Sequence, residues 1–368
     1  TKALLRASEL HHQIQEASEF GLTVEGVAFD FGKLVQRSRR VAKKLSGGVK
    51  HLLKKNDVTV FDGHGRLDGA GRVRVEKDGA EVAQLEARNI ILATGARART
   101  LPGLEADGEM VWTYKEAMVP EALPESLLVI GSGAIGMEFA DVYHAFGTKV
   151  TVVEAFDRIL PLEDAEVSRF MERSFKKRGV DVHTGVRVDS SVIGPDGVTV
   201  TLTDKKGGSQ TLDVDYVLSA VGRVPNSQDV GLESVGVTTD ERGFIVVDEF
   251  LRTNVPGVYS IGDVAGNQLL AHKASHEGVV CVEYIVGQGH GTIDYGNVPN
   301  CTYCHPEVAS VGLTEEQARA QGHDVEVGKF PWVGIGRAVA AGHTDGFVKI
   351  IRDKQYSEIL GAHIVGSH

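Results

Sequence analysis

Cysteine is scarce in this 368-residue chain, which has only Cys281, Cys301 and Cys304. Three thiols cannot build a secreted disulfide scaffold, so a reducing compartment is expected, a bacterial cytoplasm ahead of a mitochondrial matrix. No run approaches the roughly 18 uninterrupted apolar residues that a membrane helix requires, so no membrane association is expected. Basic charge is short as well. Lys+Arg 39 against Asp+Glu 50 leaves a net charge of -11, which argues against a phosphate-tracking surface and a nucleic-acid partner. No signal or transit peptide is visible, and the chain opens on Thr1-Lys2-Ala3 without a Met and closes on Gly366-Ser367-His368 just after a strand-like run. Both ends read as cut.

What the chain has is apolar material and glycine. Hydrophobic residues make up 42%, and the length predicts two or three domains. The 44 glycines exceed the usual share of roughly 7% and predict many tight turns and close backbone approaches. Helical spacing runs from Lys2 to Phe20 and from Phe31 to Asn56, the second with Leu34, Val41, Leu45, Val49 and Leu52 among Lys and Arg. From Val58 the period becomes two. Val58-Val60, Arg72 to Glu76 and Val82 to Leu85, parted by Asp62-Gly63 and Asp78-Gly79, predict an antiparallel meander. The unbroken apolar stretch Asn89 to Ala96 predicts a buried strand that stops on a small-residue turn, and Leu101-Pro102-Gly103 marks a boundary. A second meander is expected from Val182 to Val217. After Asn297 the texture turns to α+β, with strands over 301–311, 324–330, 346–351 and 359–365 and a helix over 314–321.

Between these lies the sequence's clearest motif. Leu127 to Glu154 reads strand, glycine turn, helix, strand, with Gly131-Ser132-Gly133-Ala134-Ile135-Gly136 at the first strand-helix junction. In such a unit the first glycine permits the sharp turn and the second lets a pyrophosphate approach the backbone. The third lets helix pack on strand, and the helix N-terminus supplies positive potential. A bare G-x-G-x-x-G could be no more than a glycine-rich turn. Here Val150-Thr-Val-Val-Glu154 follows, ending on an acid about 20 residues after the glycines, where a carboxylate accepts from ribose hydroxyls and repels a 2′-phosphate. The expected cofactor is NAD, not NADP. Two further apolar strands end on ligand-type turns, Asp215 to Val221 before Gly222-Arg223-Val224-Pro225-Asn226, and Gly257 to Ile261 before Gly262-Asp263.

These features together resemble the pyridine nucleotide-disulfide oxidoreductases, and the likeness covers essentially the whole chain. Thr1-Lys2-Ala3-Leu4-Leu5 matches the segment that follows the family's redox cysteines, Ala93-Thr94-Gly95 its A-T-G turn, Tyr259-Ser-Ile-Gly262-Asp263 its flavin motif and Ala271-His272-Lys273-Ala274 the stretch beside the flavin ring. The resemblance implies FAD as a second cofactor. It sets Gly65, Thr94, Gly95, Gly262, Asp263 and Ala271 along FAD, and Gly131, Gly133, Ala134, Ile135, Gly136, Glu154, Val188, Ala220 and Gly222 along NAD. The resemblance has Asp263 bind the ribitol, although sequence by itself favours a turn-forming Asp there. Lys2 and Glu138 match a family ion pair near flavin N5, which makes them the catalytic candidates in this stretch. Without the resemblance both would pass as surface helix charges.

The implied fold is α/β, with two Rossmann-like dinucleotide-binding domains and a C-terminal α+β interface domain. Residues 1–100 would form the FAD-binding domain without its N-terminal part and 101–224 the NAD-binding domain. The chain would return to the FAD-binding domain over 225–296, and 297–368 would be a truncated dimerisation domain. The redox cysteines and the family's C-terminal His-Glu pair are expected outside the chain, so His363 and His368 are not taken for that pair, and no turnover of dihydrolipoamide is expected from these residues alone.

Ala134, where glutathione-type members carry Tyr, and the acidic Glu154 point to the lipoamide branch. Such an enzyme would oxidise dihydrolipoamide on the lipoyl domain of a 2-oxo acid dehydrogenase complex and pass electrons through FAD to NAD, as a homodimer. Soluble transhydrogenases and mercuric reductases are alternatives within the family, and a non-catalytic NAD-binding or assembly module is one outside it. Cys301-Thr-Tyr-Cys304-His305 spells the attachment motif of c-type haem. The strand-like Pro306 to Glu315 follows it at once, so no haem is expected; zinc lacks a second ligand pair, and a redox C-x-x-C would sit at a helix N-terminus.

Overall fold

The computed structural model describes residues 1–289 and 291–367; His368 lies outside the described residues. The chain opens with α1 (Lys2–Gln15) and α2 (Phe31–Lys55), then the meander β1 (His64–Leu67), β2 (Arg72–Lys77) and β3 (Ala80–Glu86), and the short β4 (Ile90–Leu92) and β5 (Ala96–Ala98). Next come β6 (Val111–Trp112), α3 (Tyr114–Ala117), β7 (Ser126–Ile130), α4 (Ala134–Ala145), β8 (Lys149–Glu154), α5 (Ala165–Arg178) and β9 (Asp181–Thr184). A second meander, β10 (Val186–Ile193), β11 (Val198–Asp204) and β12 (Ser209–Val214), precedes β13 (Tyr216–Ser219), β14 (Arg223–Pro225), β15 (Val258–Ser260) and α6 (Ala271–Ile285). The last part runs β16 (Asn300–Thr302), β17 (Glu307–Gly312), α7 (Glu315–Ala320), β18 (Val325–Pro331), α8 (Gly336–Ala341), β19 (Phe347–Asp353) and β20 (Ile359–Gly366). Among the described residues no helix is long and apolar enough to cross a membrane.

The chain separates into two compact units, one of residues 1–44, 98–222 and 299–368, the other of residues 45–97 and 223–298. The first contains a five-stranded sheet in the order β6-β13-β7-β8-β9, with every paired strand parallel. Its central strand shows why Leu127 to Ile130 is apolar without alternation. Leu127 and Val129 pack with Phe139, Tyr143, Met171 and Phe175 of α4 and α5, while Leu128 and Ile130 pack with Val198, Val200 and Leu202 of the second meander. Successive side chains leave a strand on opposite faces, so a strand covered on both sides is apolar throughout. The same unit holds the antiparallel sheet β16-β17-β20-β19-β18, with Ala318 of α7 packed on Val325 and Ile351.

Within this first unit one buried cation joins the two layers. Lys349 of β19, 1% exposed, donates to Asp164 at 3.0 Å and to Glu315 at 2.7 Å, with Glu166 at 3.1 Å. Asp164 caps α5 through the Glu166 N–H and also accepts the Glu315 N–H at the start of α7. Burial pushes the Asp164 carboxyl up, but the Glu166 N–H, the Lys349 ammonium and the Glu315 N–H outweigh it, and the net displacement is downward.

The second unit holds the meander β1-β2-β3 and the parallel pair β15 and β4, around a core of Leu67, Leu92, Ile245, Val258 and Val264. Here the structure corrects the expected strand at Val58-Val60. Both valines are exposed, the first strand of the meander is His64–Leu67, and its turn falls over 68–71 in place of Asp62-Gly63. Leu67 decides the register, being buried and donating its N–H to Val230 O. The second meander is also shorter than expected. Val182 belongs to β9 and Val217 to β13, both in the parallel sheet. The first helix ends at Gln15, followed by a single 3-10 turn to Phe20 that Gly21 stops in the left-handed region.

Candidate functional site

The glycine motif lies at the C-terminal end of β7, on the edge where open α/β sheets bind ligands. Gly131 has φ +96°, and a Cβ there would meet Ala220 O at 2.6 Å, so the turn presses against the end of β13. At Gly136 a Cβ would lie 1.9 Å from Gly131 O, which lets α4 cross the turn at backbone contact distance. Gly133 is the opposite case, with nothing within 4 Å of a Cβ. It is the N-cap of α4 and brings no capping side chain, so the first N–H groups of the helix, at Ala134, Ile135 and Gly136, face outward without a cap. Two tight glycines and one open one form the cradle that a pyrophosphate needs, and the residues fit an adenine dinucleotide.

Glu154, 5% exposed at the end of β8, closes the cradle. Its Oε2 accepts from Ser132 N–H at 2.9 Å and Ser132 Oγ–H at 2.6 Å, and its Oε1 accepts from Phe156 N–H at 2.9 Å. The spacing rule locates the acid but not its partner. Ser132, at the first variable position of the motif, is fully buried and pins the carboxylate. Val188 is half-buried on β10 just before a register shift, and Gly222, φ +106°, accepts Arg99 N–H.

In the other unit, the Ala93-Thr94-Gly95 turn is tied to the Val224-Pro225-Asn226 stretch. Thr94 Oγ1 donates to Asn226 O at 2.6 Å, Asn226 Nδ2 donates to Thr94 O at 2.9 Å, and Asn226 N–H donates to Gly95 O. Gly95, φ +76°, and exposed Gly65 on β1 both have room at Cβ. Gly262, φ +73°, begins a short 3-10 turn that carries Asp263, and Ala271 opens α6, whose first turn has no side-chain cap. Asp263 Oδ2 accepts from Arg223 Nη1 at 2.7 Å. Arg223, from the ligand-type turn after β13, thus sends its guanidinium to the flavin-type turn. Asp263 keeps a second carboxylate oxygen that a hydroxyl-bearing ligand can use, so this turn fits the sugar-like chain of a flavin.

The expected direct ion pair of Lys2 and Glu138 is corrected. Lys2 Nζ lies 4.2 Å from the centre of the Tyr303 ring, while Glu138 Oε1 accepts Tyr303 N–H at 3.1 Å. Tyr303 thus contacts both, giving the cation a π face and the carboxylate a backbone donor. Burial raises the Glu138 carboxyl, opposed by the Tyr303 N–H and by the Lys2 charge acting through space.

Cys301 is half-buried in β16, and Cys304 is a core side chain whose thiol burial pushes well up. Among the described residues no group of three or more His, Cys, Asp or Glu is placed to hold a metal. His363 is buried, with Nε2 3.0 Å from Leu313 O. Glu163 is also buried, and no hydrogen-bond partner reaches its Oε2. Burial raises its carboxyl, against lowering by Ser310 and His363. Ionisation in the fold is therefore penalised above the unfolded carboxyl value of about 4.3. Glu163→Gln is expected to stabilise by about 1 kcal/mol at pH 8. The gain shrinks as pH falls towards that value, which urea unfolding at pH 8 and pH 5 will read.

The model of the pyridine nucleotide-disulphide oxidoreductases matches residues 1–278, and that of the same proteins' dimerisation domain matches residues 298–368. A dihydrolipoyl dehydrogenase of Zymomonas mobilis is 48% identical over 368 residues, covering all of this chain and 79% of that protein. One of Bacillus subtilis is 43% identical, with the same two coverages. Among solved structures, LpdA of Mycobacterium tuberculosis superposes with a TM-score of 0.91 at 30% identity, over 99% of this chain and 79% of that one. The HOCl-induced flavoprotein disulfide reductase RclA of Escherichia coli, as its Cu(II) complex, follows at 0.87 and 27%, over 100% and 78%. With both family models and these relatives spanning the cradle, the flavin-type turn and the C-terminal sheet, the chain belongs to the pyridine nucleotide-disulphide oxidoreductases, enzymes that use FAD and a nicotinamide dinucleotide.

Proposed function

We propose that this protein is a dihydrolipoyl dehydrogenase, which oxidises dihydrolipoamide on the lipoyl domain of a 2-oxo acid dehydrogenase complex and reduces NAD+. The observation that carries the NAD half is the cradle of Gly131, Gly133 and Gly136 closed by Glu154, a carboxylate held in place by three donors. A fixed negative charge there accepts from ribose hydroxyls and repels a 2′-phosphate. Bound FAD supplies the two-electron carrier between disulfide and nicotinamide. Around it Thr94, Gly95, Gly65, Gly262, Asp263 and Ala271 bind, with Asp263 on the ribitol. Val188, Ala220 and Gly222 flank NAD, and Lys2, steadied by Tyr303 and Glu138, supplies positive charge beside the flavin. Residues 1–100 and 225–296 form the FAD-binding domain, 101–224 the NAD-binding domain and 297–368 the surface that pairs two copies. The relatives named above, all bacterial, support a cytoplasmic setting.

The purified flavoprotein, in the form that carries the family's redox cysteines and C-terminal His-Glu pair, is expected to form NADH from dihydrolipoamide and NAD+. NADP+ should be used with a kcat/KM lower by roughly 100-fold, the repelled phosphate costing ~3 kcal/mol. Faster hydride exchange between NADPH and NAD+, or faster mercuric-ion-dependent oxidation of NADPH, would move the protein to a transhydrogenase or a mercuric reductase.

A further inference from the structure

The flavin-type turn rests on a buried ion pair that the proposed chemistry does not use. Lys273 and Glu277, one turn apart on α6, are both 0% exposed. Lys273 Nζ donates to Gly262 O at 3.1 Å, to Gly266 O at 2.9 Å and to Glu277 Oε2 at 3.1 Å, which uses all three ammonium hydrogens. Glu277 Oε2 also accepts Gly262 N–H at 2.6 Å, and its Oε1 accepts Tyr295 Oη–H at 2.8 Å. A cation in the first turn of a helix opposes the helix dipole, and a lysine is almost never fully buried unless paired. Helix stability therefore does not account for Lys273. Three of these five bonds fall on the two ends of the segment from Gly262 to Gly266, the one that carries Asp263, and the other two tie Lys273 and Tyr295 to Glu277.

We propose that Lys273 and Glu277 are positioning residues for FAD. They fix the Gly262 peptide and the Gly266 carbonyl, so that Asp263 and the open N-terminus of α6 hold one geometry before the flavin arrives. Neither touches the ligand in this scheme; both act through Asp263, and the inference rests on the reading of Asp263 as a flavin ligand. Tyr295 completes the device by orienting the Glu277 carboxylate from the outer side.

The test compares Lys273→Met, Glu277→Gln and Asp263→Asn in the intact protein, reading FAD dissociation by the recovery of flavin fluorescence, the visible flavin spectrum, and NAD+ affinity. The NAD+ cradle lies wholly in the other compact unit, so its affinity reports folding independently of the flavin turn. Lys273→Met is expected to weaken FAD binding at least tenfold and blur the vibronic structure of the flavin band, with NAD+ affinity within twofold of the parent. Glu277→Gln keeps one acceptor oxygen, enough for Gly262, turns an N–H donor instead of an acceptor towards Tyr295, and is expected to weaken FAD about threefold; it stands in should Lys273→Met fail to fold. If Asp263→Asn releases FAD while both α6 variants hold it with the parental affinity and spectrum, the pair is structural only and the proposal fails. If Asp263→Asn also retains FAD unchanged, the reading of Asp263 fails instead.

Discussion

Gly136→Ala is expected to lower NAD+ affinity by about 100-fold, ~2.7 kcal/mol, with FAD content unchanged. The added methyl would lie 1.9 Å from Gly131 O, and that neighbour is backbone in a turn already pressed on Ala220. No rotamer change relieves such a contact. The start of α4 must lift off the turn, which breaks the alignment of its free N–H groups with the pyrophosphate. Gly133→Ala is the internal comparison, since its Cβ meets nothing within 4 Å and its φ is -68°. Any loss there comes from crowding the ligand, not from displacing the helix. Titration of intrinsic fluorescence with NADH, together with the flavin-to-protein absorbance ratio, separates the two; equal affinity for parent and Gly136→Ala would remove the cradle from the NAD site.

Lys349→Met is expected to cost about 3–5 kcal/mol of stability, because it strands carboxylates that were folded around one cation. Asp164, Glu166 and Glu315 all lie within 3.1 Å of Lys349 Nζ, and Asp164 is itself 1% exposed. Removing one partner of a buried pair is far worse than replacing the whole set by apolar residues. The pH dependence follows from Asp164, whose folded carboxyl sits below its ordinary value. The stabilisation it contributes is present above the unfolded carboxylate value of about 3.9 and is lost as pH falls through the lower folded value. Denaturant unfolding at pH 7 gives the magnitude. A loss under about 1 kcal/mol would mean that solvent already screens the cluster.

The motif around Gly131 was legible because each of its requirements is local: a turn, an open approach, a helix crossing and an acid one strand later. Patterning also announced the α+β texture after Asn297, since its strands alternate or run apolar over their whole length. What sequence did not show depended on partners far along the chain. Val58-Val60 has the alternation of a strand, yet Leu67 is the residue that finds a buried seat and a backbone acceptor at Val230, 163 positions away in sequence order (230 - 67). Tyr303, whose ring meets Lys2 and whose N–H donates to Glu138, carries no sequence mark of either contact. Lys273 and Glu277 did leave a signal, an opposite-charge pair at i and i+4 on a helix. It reads as an ordinary surface pair until burial is known. Ser132 is hidden in the same way, since the motif allows any residue there.

The two-sided burial of β7 also makes it a stiff lever. Its last residue, Ile130, is bonded to the turn that begins at Gly131, and Ile130 O also receives Ala220 N–H. A volume change on the α4 side at Val129 and one on the meander side at Leu128 have no soft direction in which to relax, so both are delivered along the strand to the same peptide. The place where the phosphates would lie is thus tuned by residues that never see them. Variation in the second meander at positions away from Val188 has a mechanical route to how tightly the dinucleotide is held.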